Sequence, residues 1–166
     1  MNTIDRRDLY AWCRIPCEEL EHHPDRRVPF RLVRDSAAMG ELMAVELVEA
    51  IEQANGRGAE LRAIIPCGPS SWYGPFARLV NTRRVSLQRF VVYHMDECLD
   101  WQGREIPREH PYSFRGFMER HFYGPIAAEL AVPEKNRFWL SPATMEQVRE
   151  QLRTRPPHLT YGGWGQ

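Results

Sequence analysis

An α/β fold built on a parallel sheet follows from three features of this 166-residue sequence. Phe90-Val91-Val92-Tyr93 is an apolar, β-branched and aromatic run of the length that suits a buried parallel strand. Leu61 to Pro66, LRAIIP, is a second short apolar strand. A loop rich in small residues and a helix-sized segment separate the two, and the order β, α, β implies a right-handed parallel unit. The carboxyl ends of both strands, at Cys67 and at Asp96, then lie on the same edge of the sheet. In an open α/β sheet ligands sit outside that edge.

Taken in order, residues 1–34 carry mixed charge, with Pro16, Pro24 and Pro29 as breakers, and are expected to form an N-terminal arm. Within them Val28 to Arg34 alternates as an edge strand does. Residues 35–166 are expected to be the domain. A helix opens it: Asp35 or Ser36 can cap it, Met39, Leu42, Met43, Val45, Leu47, Val48 and Ile51 recur at helical spacing, and Asn55-Gly56 stops it. After LRAIIP comes CGPSSWYG, then PFARLVNTRR, a helix with Pro75 in its first turn and Phe76, Leu79 and Val80 on one face. Strand, small-residue loop and helix together can build an anion site, because loop and helix N-terminal N–H groups point at the ligand. The P-loop motif, which needs a Gly-Lys-Ser/Thr, and the dinucleotide fingerprint are both absent, and many such turns bind nothing.

The strand RFVVYHM is followed by Asp96 and Glu97, and Asp96 would stand where substrate is handled; Met95-Asp96-Glu97 also reads as a plain strand exit with solvated acids. A polar loop, Cys98 to Pro111, leads into a long amphipathic helix, Tyr112 to Leu130, with Phe114, Phe117, Met118, Phe122 and Ile126 inward and Gly124-Pro125 bending or dividing it. His110 and His121 read as a structural hydrogen-bonding residue and a surface residue. VPEKNRFWLSP gives a turn and a short strand, and ATMEQVREQLRTR a solvent-exposed helix. HLTYGGWGQ is a short β run entering a glycine-rich loop, at which the sequence stops, so a fragment of a longer domain is expected.

Charge balance excludes some partners. Lys and Arg total 22 and Asp and Glu total 22, so no field of one sign draws the chain to nucleic acid or an anionic membrane. No run of about twenty apolar residues and no apolar signal-peptide core is present, so a soluble, cytoplasmic protein is expected. Four cysteines, Cys13, Cys17, Cys67 and Cys98, in unrelated contexts read as reduced thiols. Cys13 and Cys17 with His22 and His23 lack a second well-spaced ligand pair, so no metal site is assigned.

Several stretches, in this order, resemble the glucosamine-6-phosphate deaminase/isomerase family: IPCGPSSWYGPFARLVN (65 to 81), FVVYHMDE (90 to 97), HPYSFRGFMERHFY (110 to 123) and YGGWGQ (161 to 166). Met-Asp-Glu followed by His-Pro-x-Ser-Phe-x-x-Phe-Met is the specific part. The resemblance implies a doubly wound, mostly parallel, Rossmann-like sheet, shared with sugar-phosphate isomerases and incomplete here at the C-terminus. It implies that Asp96 moves a proton between C2 and C1 of an open-chain amino-sugar phosphate, and that hydrolysis of the resulting ketose imine releases ammonia. No metal or organic cofactor is implied. Cys67, Gly68, Pro69 and Ser70 fall in the family's sugar-phosphate loop and Gly163 in its third loop, against the sugar; a phosphorylated amino sugar is the implied partner, and a homo-oligomer is possible.

The departures are specific. The usual loop is Pro-Thr-Gly-Gly-Thr or Ser, whereas Pro66-Cys67-Gly68-Pro69-Ser70-Ser71 lacks a Thr hydroxyl and, at Pro69, one N–H donor. Cys98 stands where an aromatic usually follows Met-Asp-Glu, and Leu99 to Arg108 lengthens the loop. The Asp-Gly-His and Glu that open the sugar ring, and an Arg and a Lys that bind phosphate, would follow Gln166, so the 166 residues alone are expected to be inactive or nearly so. The alternatives are a non-catalytic sugar-phosphate sensor and a hydrolase of 6-phosphogluconolactone.

Overall fold

In the computed structural model, residues 4–29 and 31–162 are described. They fall into two compact units, Met1–Asp35 and Ser36–Gln166. In the first, helix α1 (Arg6–Trp12) begins where the Asp5 carboxylate accepts the Arg7 N–H at 2.8 Å, and a 3₁₀ turn spans Cys17–His22. Neither buries a residue. The edge strand expected over Val28 to Arg34 is not formed among its described residues. Pro29 removes a ladder donor, and Val28, Leu32 and Val33 are exposed, so the alternation has no core to face.

The second unit is α/β, with the parallel sheet that the strands predict. Its strands are β1 (Leu61–Ile65), β2 (Phe90–His94), β3 (Arg137–Phe138) and β4 (Leu159–Thr160), in the order β3-β2-β1-β4, every pair parallel. β1 and β2 pair from Leu61 with Phe90 to Ile65 with His94. β2 is buried along its whole length, as its unbroken apolar run requires. The chain winds one way from β1 through β2 to β3, then returns to the other side of β1 as β4. A topological switch point therefore lies between β1 and β4.

Helices cover both faces. Helix α2 (Ser36–Gly56) buries Gly40, Ala44, Leu47, Val48, Ile51 and Ala54. It ends at Gly56, at the expected stop, and a Schellman motif closes it: the Ala59 N–H donates to Ala54 O at 2.9 Å and the Gly58 N–H to Asn55 O at 2.9 Å, with Gly58 at φ +66°. Gly40 lets α2 pack against the backbone at Ser71, where a Cβ would stand 2.5 Å from the carbonyl oxygen. Helix α3 (Tyr73–Arg83) turns Tyr73, Phe76, Ala77 and Val80 inward. On the opposite face, α5 (Met145–Thr154) buries Val148 in a smaller cluster with Val91 and Tyr93.

The long helix expected from Tyr112 to Leu130 is shorter and changes pitch. Helix α4 (Phe114–Met118) passes into a π turn, Glu119–Tyr123, closed by the Gly124 N–H donating to the Glu119 carbonyl at 2.9 Å. Gly124-Pro125 ends the helix, since Pro125 has no N–H to continue it. Asn81 secures the exit: its amide donates to Pro125 O and accepts from the Ala127 N–H, both at 2.9 Å. The π turn buries both Phe122 and Tyr123. Phe122 stacks on Phe76 at 5.2 Å and lies 5.1 Å from Trp72, completing an aromatic cluster between α3 and the α4 segment.

Candidate functional site

The β1–β2 register delivers Cys67 and Asp96 to one place. Beyond the last paired residues, the Met95 N–H still donates to Ile65 O at 3.1 Å, and then the Cys67 N–H donates to Asp96 Oδ1 at 3.2 Å. Asp96 is half-buried. Its other carboxylate oxygen has no hydrogen bond among the described residues. One oxygen is tethered at the sheet edge and the other remains available to take a proton.

The β1 loop is fastened from within. Gly68 adopts φ +110° before a cis Gly68–Pro69 peptide. The Gly68 N–H donates to the Tyr73 hydroxyl at 3.0 Å, and the hydroxyl proton has Pro66 O at 3.3 Å and Met118 Sδ at 3.0 Å within reach. Burial raises the Tyr73 hydroxyl far above its ordinary range. The first three loop positions thus offer no free backbone donor: Cys67 donates to Asp96, Gly68 to Tyr73, and Pro69 has no N–H. An anion cradle in this loop would have to be built from Ser70 onward. Pro69 and Ser70 are exposed.

The Cys67 thiol is held protonated. Burial pushes it up to about 12, with the Asp96 and Glu97 carboxylates adding to the shift. It serves as a small apolar side chain against the core rather than as a nucleophile.

Glu97, not assigned a role from sequence, is a structural anchor. Its carboxylate accepts N–H groups from Phe114 at 2.7 Å, Arg115 at 2.8 Å and Cys98 at 2.9 Å, so it caps α4 beside Ser113, whose Oγ accepts the Gly116 N–H at 3.1 Å. The link binds the β2 exit to the start of α4. The loop between them is itself ordered at its tip: Asp100 accepts from the Gln102 and Arg104 N–H groups and from Arg104 Nε, at 2.8 to 2.9 Å. His110 and His121 are exposed.

His94, read from sequence only as the end of an apolar run, is buried at 4% exposure. Its ring stacks on Trp139 at 3.6 Å, and Nε2 lies 3.0 Å from the Tyr123 hydroxyl. Burial, with Arg137 and Arg115 nearby, lowers it to about 3, so it is a neutral imidazole beneath the site.

On the other side of β1, the Tyr161 N–H donates to Ile64 O at 3.0 Å, so the exit of β4 runs beside the β1 loop at the switch point. Gly163, expected in the third loop, lies outside the described residues. No helix of the described residues is long and apolar enough to cross a membrane.

No family model matches the sequence. The glucosamine-6-phosphate deaminase of Mannheimia succiniciproducens is 29% identical over 100 residues, which are 59% of this chain and 34% of that protein. A solved monomeric glucosamine-6-phosphate deaminase of the NagB superfamily superposes with a TM-score of 0.61 at 14% identity, over 75% of this chain and 50% of that one. The chain thus spans well under two thirds of either protein. It is similar in sequence to one glucosamine-6-phosphate deaminase over part of its length, and similar in fold to another over most of it.

Proposed function

We propose that this chain supplies the proton-transfer half of an enzyme that isomerises and deaminates an amino-sugar phosphate such as glucosamine 6-phosphate. The carrying observation is the Asp96 carboxylate, tethered through one oxygen to the Cys67 N–H and free at the other, at the carboxyl edge of a parallel sheet. In the open-chain aldehyde, Asp96 removes the C2 proton; the C–H electron pair forms the C1–C2 double bond of an enolamine, and the C1 oxygen takes a proton. Returning the proton to C1 leaves an imine at C2. Water adds there and ammonia departs, giving the ketose phosphate. The likeness to glucosamine-6-phosphate deaminases supports this substrate class.

The β1 loop positions Asp96 through the Cys67 N–H, with Gly68 pinned to Tyr73 behind it, and Pro69 and Ser70, both exposed, are proposed to line the approach. With the first loop donors already engaged, Ser70 is the nearest backbone donor for phosphate, and Gly163 is proposed to lie against the sugar from the switch-point side.

The test reads proton transfer directly. The protein carrying this chain is incubated with fructose 6-phosphate and ammonium in D₂O, and deuterium entering C1 is followed by NMR. Asp96→Asn should slow the exchange by at least about 100-fold while the variant stays folded. An unchanged exchange rate would remove Asp96 as the base, and retained sugar-phosphate binding without exchange in the parent protein would favour the sensor reading.

A further inference from the structure

A second concavity, of about 270 Å³, opens at the carboxyl end of β3. The segment entering α4, the exit of β3 and the first turns of α5 form its walls, and Asp96 is not among them. Four cations line it: Arg108, Arg115, Lys135 and Arg137. They are unequally compensated. Arg108 and Arg115 share one carboxylate, Glu119, at 3.3 and 3.0 Å. Arg137 has no carboxylate partner among the described residues; it donates to the Val132 carbonyl and lies 4.1 Å from the centre of the Tyr123 ring. Lys135 is exposed and has no ion pair among the described residues.

Acids also line the cavity, but they are placed differently. Glu97 is occupied by three backbone N–H groups. Glu105 and Glu134 are exposed, as are Arg108 and Lys135, so water and salt screen all four. Of the charged side chains lining it, Arg115, Arg137 and Glu97 are partly buried, and the Glu97 oxygens are engaged by N–H groups, so the polar groups left to face the space there are the two guanidinium groups. Thr144 and Gln147, at the start of the ten-residue α5, complete the wall at the positive end of that helix.

We propose that this cavity binds a small molecule through an anionic group, a phosphate or phosphate ester, held by Arg115, Arg137 and Lys135 with Arg108 at the mouth. The contrast with the β1 loop is chemical. In the β1 loop the first backbone donors are already engaged; here Arg137 and Lys135 have no carboxylate partner among the described residues and line a concave space. The site rests on its own side chains and does not depend on the role of Asp96.

The experiment titrates the full chain, ¹⁵N-labelled and at low salt, with inorganic phosphate, glucosamine 6-phosphate and glucosamine. It follows the Trp139 indole N–H resonance, assigned with Trp139→Phe. Both phosphate-bearing ligands should shift it saturably, and glucosamine, which lacks the phosphate, should not. Lys135→Ala should weaken binding about tenfold and Lys135→Arg should largely restore it. Arg78→Ala, which removes a cation from an exposed pair with Glu41 elsewhere, should leave affinity within about twofold. Tighter binding of the sugar phosphate would identify an ester as the ligand, and equal affinity the free ion; either supports the site. Absence of a saturable shift, a response to glucosamine equal to that of its phosphate, or equal losses in Lys135→Ala and Arg78→Ala would overturn it.

Discussion

Acidification should destabilise the second unit through His94 before most carboxylates titrate. An imidazole that titrates at about 3 when folded and near 6.5 when exposed binds its proton in the unfolded chain first. Its contribution to stability is therefore fully present above pH 6.5 and is lost as pH falls from 6.5 toward 3. Each pH unit within that window costs about 1.4 kcal/mol, so moving from pH 7 to pH 5 removes about 2 kcal/mol through this one group. The burial at 4% exposure, the stack on Trp139 and the two neighbouring guanidinium groups all disfavour the imidazolium. Urea unfolding at pH 7 and pH 5, for the parent chain and for His94→Gln, measures the difference. The variant keeps a hydrogen-bonding group for the Tyr123 hydroxyl but cannot titrate, so it should start less stable and lose about 2 kcal/mol less than the parent. Parallel losses in the two proteins would refute the buried neutral imidazole, as would an NMR titration of His94 with a midpoint near 6.5.

Three further outcomes are expected. Glu97→Gln removes the charge from a carboxylate holding three N–H groups and should destabilise the unit by about 1.5–3 kcal/mol, a fall in Tm of roughly 5–10 °C by calorimetry. No change in Tm would mean that the α4 cap is dispensable. Gly40→Ala gains about 1 kcal/mol of helix propensity but drives a Cβ against the Ser71 carbonyl, a backbone group, so a net loss of about 1–2 kcal/mol is expected in urea; a gain would show that α2 can move away. At pH 8 only about one Cys67 in 10⁴ is thiolate, so peptide mapping after brief iodoacetamide treatment should find label on exposed Cys13 and Cys17 and little on Cys67. Equal labelling at Cys67 would contradict its burial.

What was legible in the sequence depended on how far apart the interacting residues lie. The apolar runs at Leu61 and Phe90 specify parallel strands by themselves, and the β, α, β order then forces Cys67 and Asp96 onto one edge. The α4 cap was hidden because Glu97 reaches N–H groups 17 and 18 residues along the chain, beyond any local capping pattern. His94 was hidden because its partners, Tyr123 and Trp139, arrive from other segments. Val28 to Arg34 misled for the opposite reason: alternation is a local signal, and a strand also needs a pairing partner and a face to bury. The loop donors around Gly68 show a further limit, since the Tyr73 hydroxyl that occupies one of them belongs to the next helix.

The wide turn between Met118 and Gly124 has a consequence for how this segment can vary. Successive helical side chains point about 100° apart, so one added residue in a turn rotates everything after it by that angle. Here the rotation lets neighbouring residues serve different parties: Phe122 joins Phe76 and Trp72, while Tyr123 reaches His94. The turn is a phase adjuster. Shortening it by one residue, even at exposed His121, would restore an ordinary pitch and swing the tyrosine away from the imidazole. A length change between Met118 and Gly124 would therefore disturb the core contact and the His94 contact together.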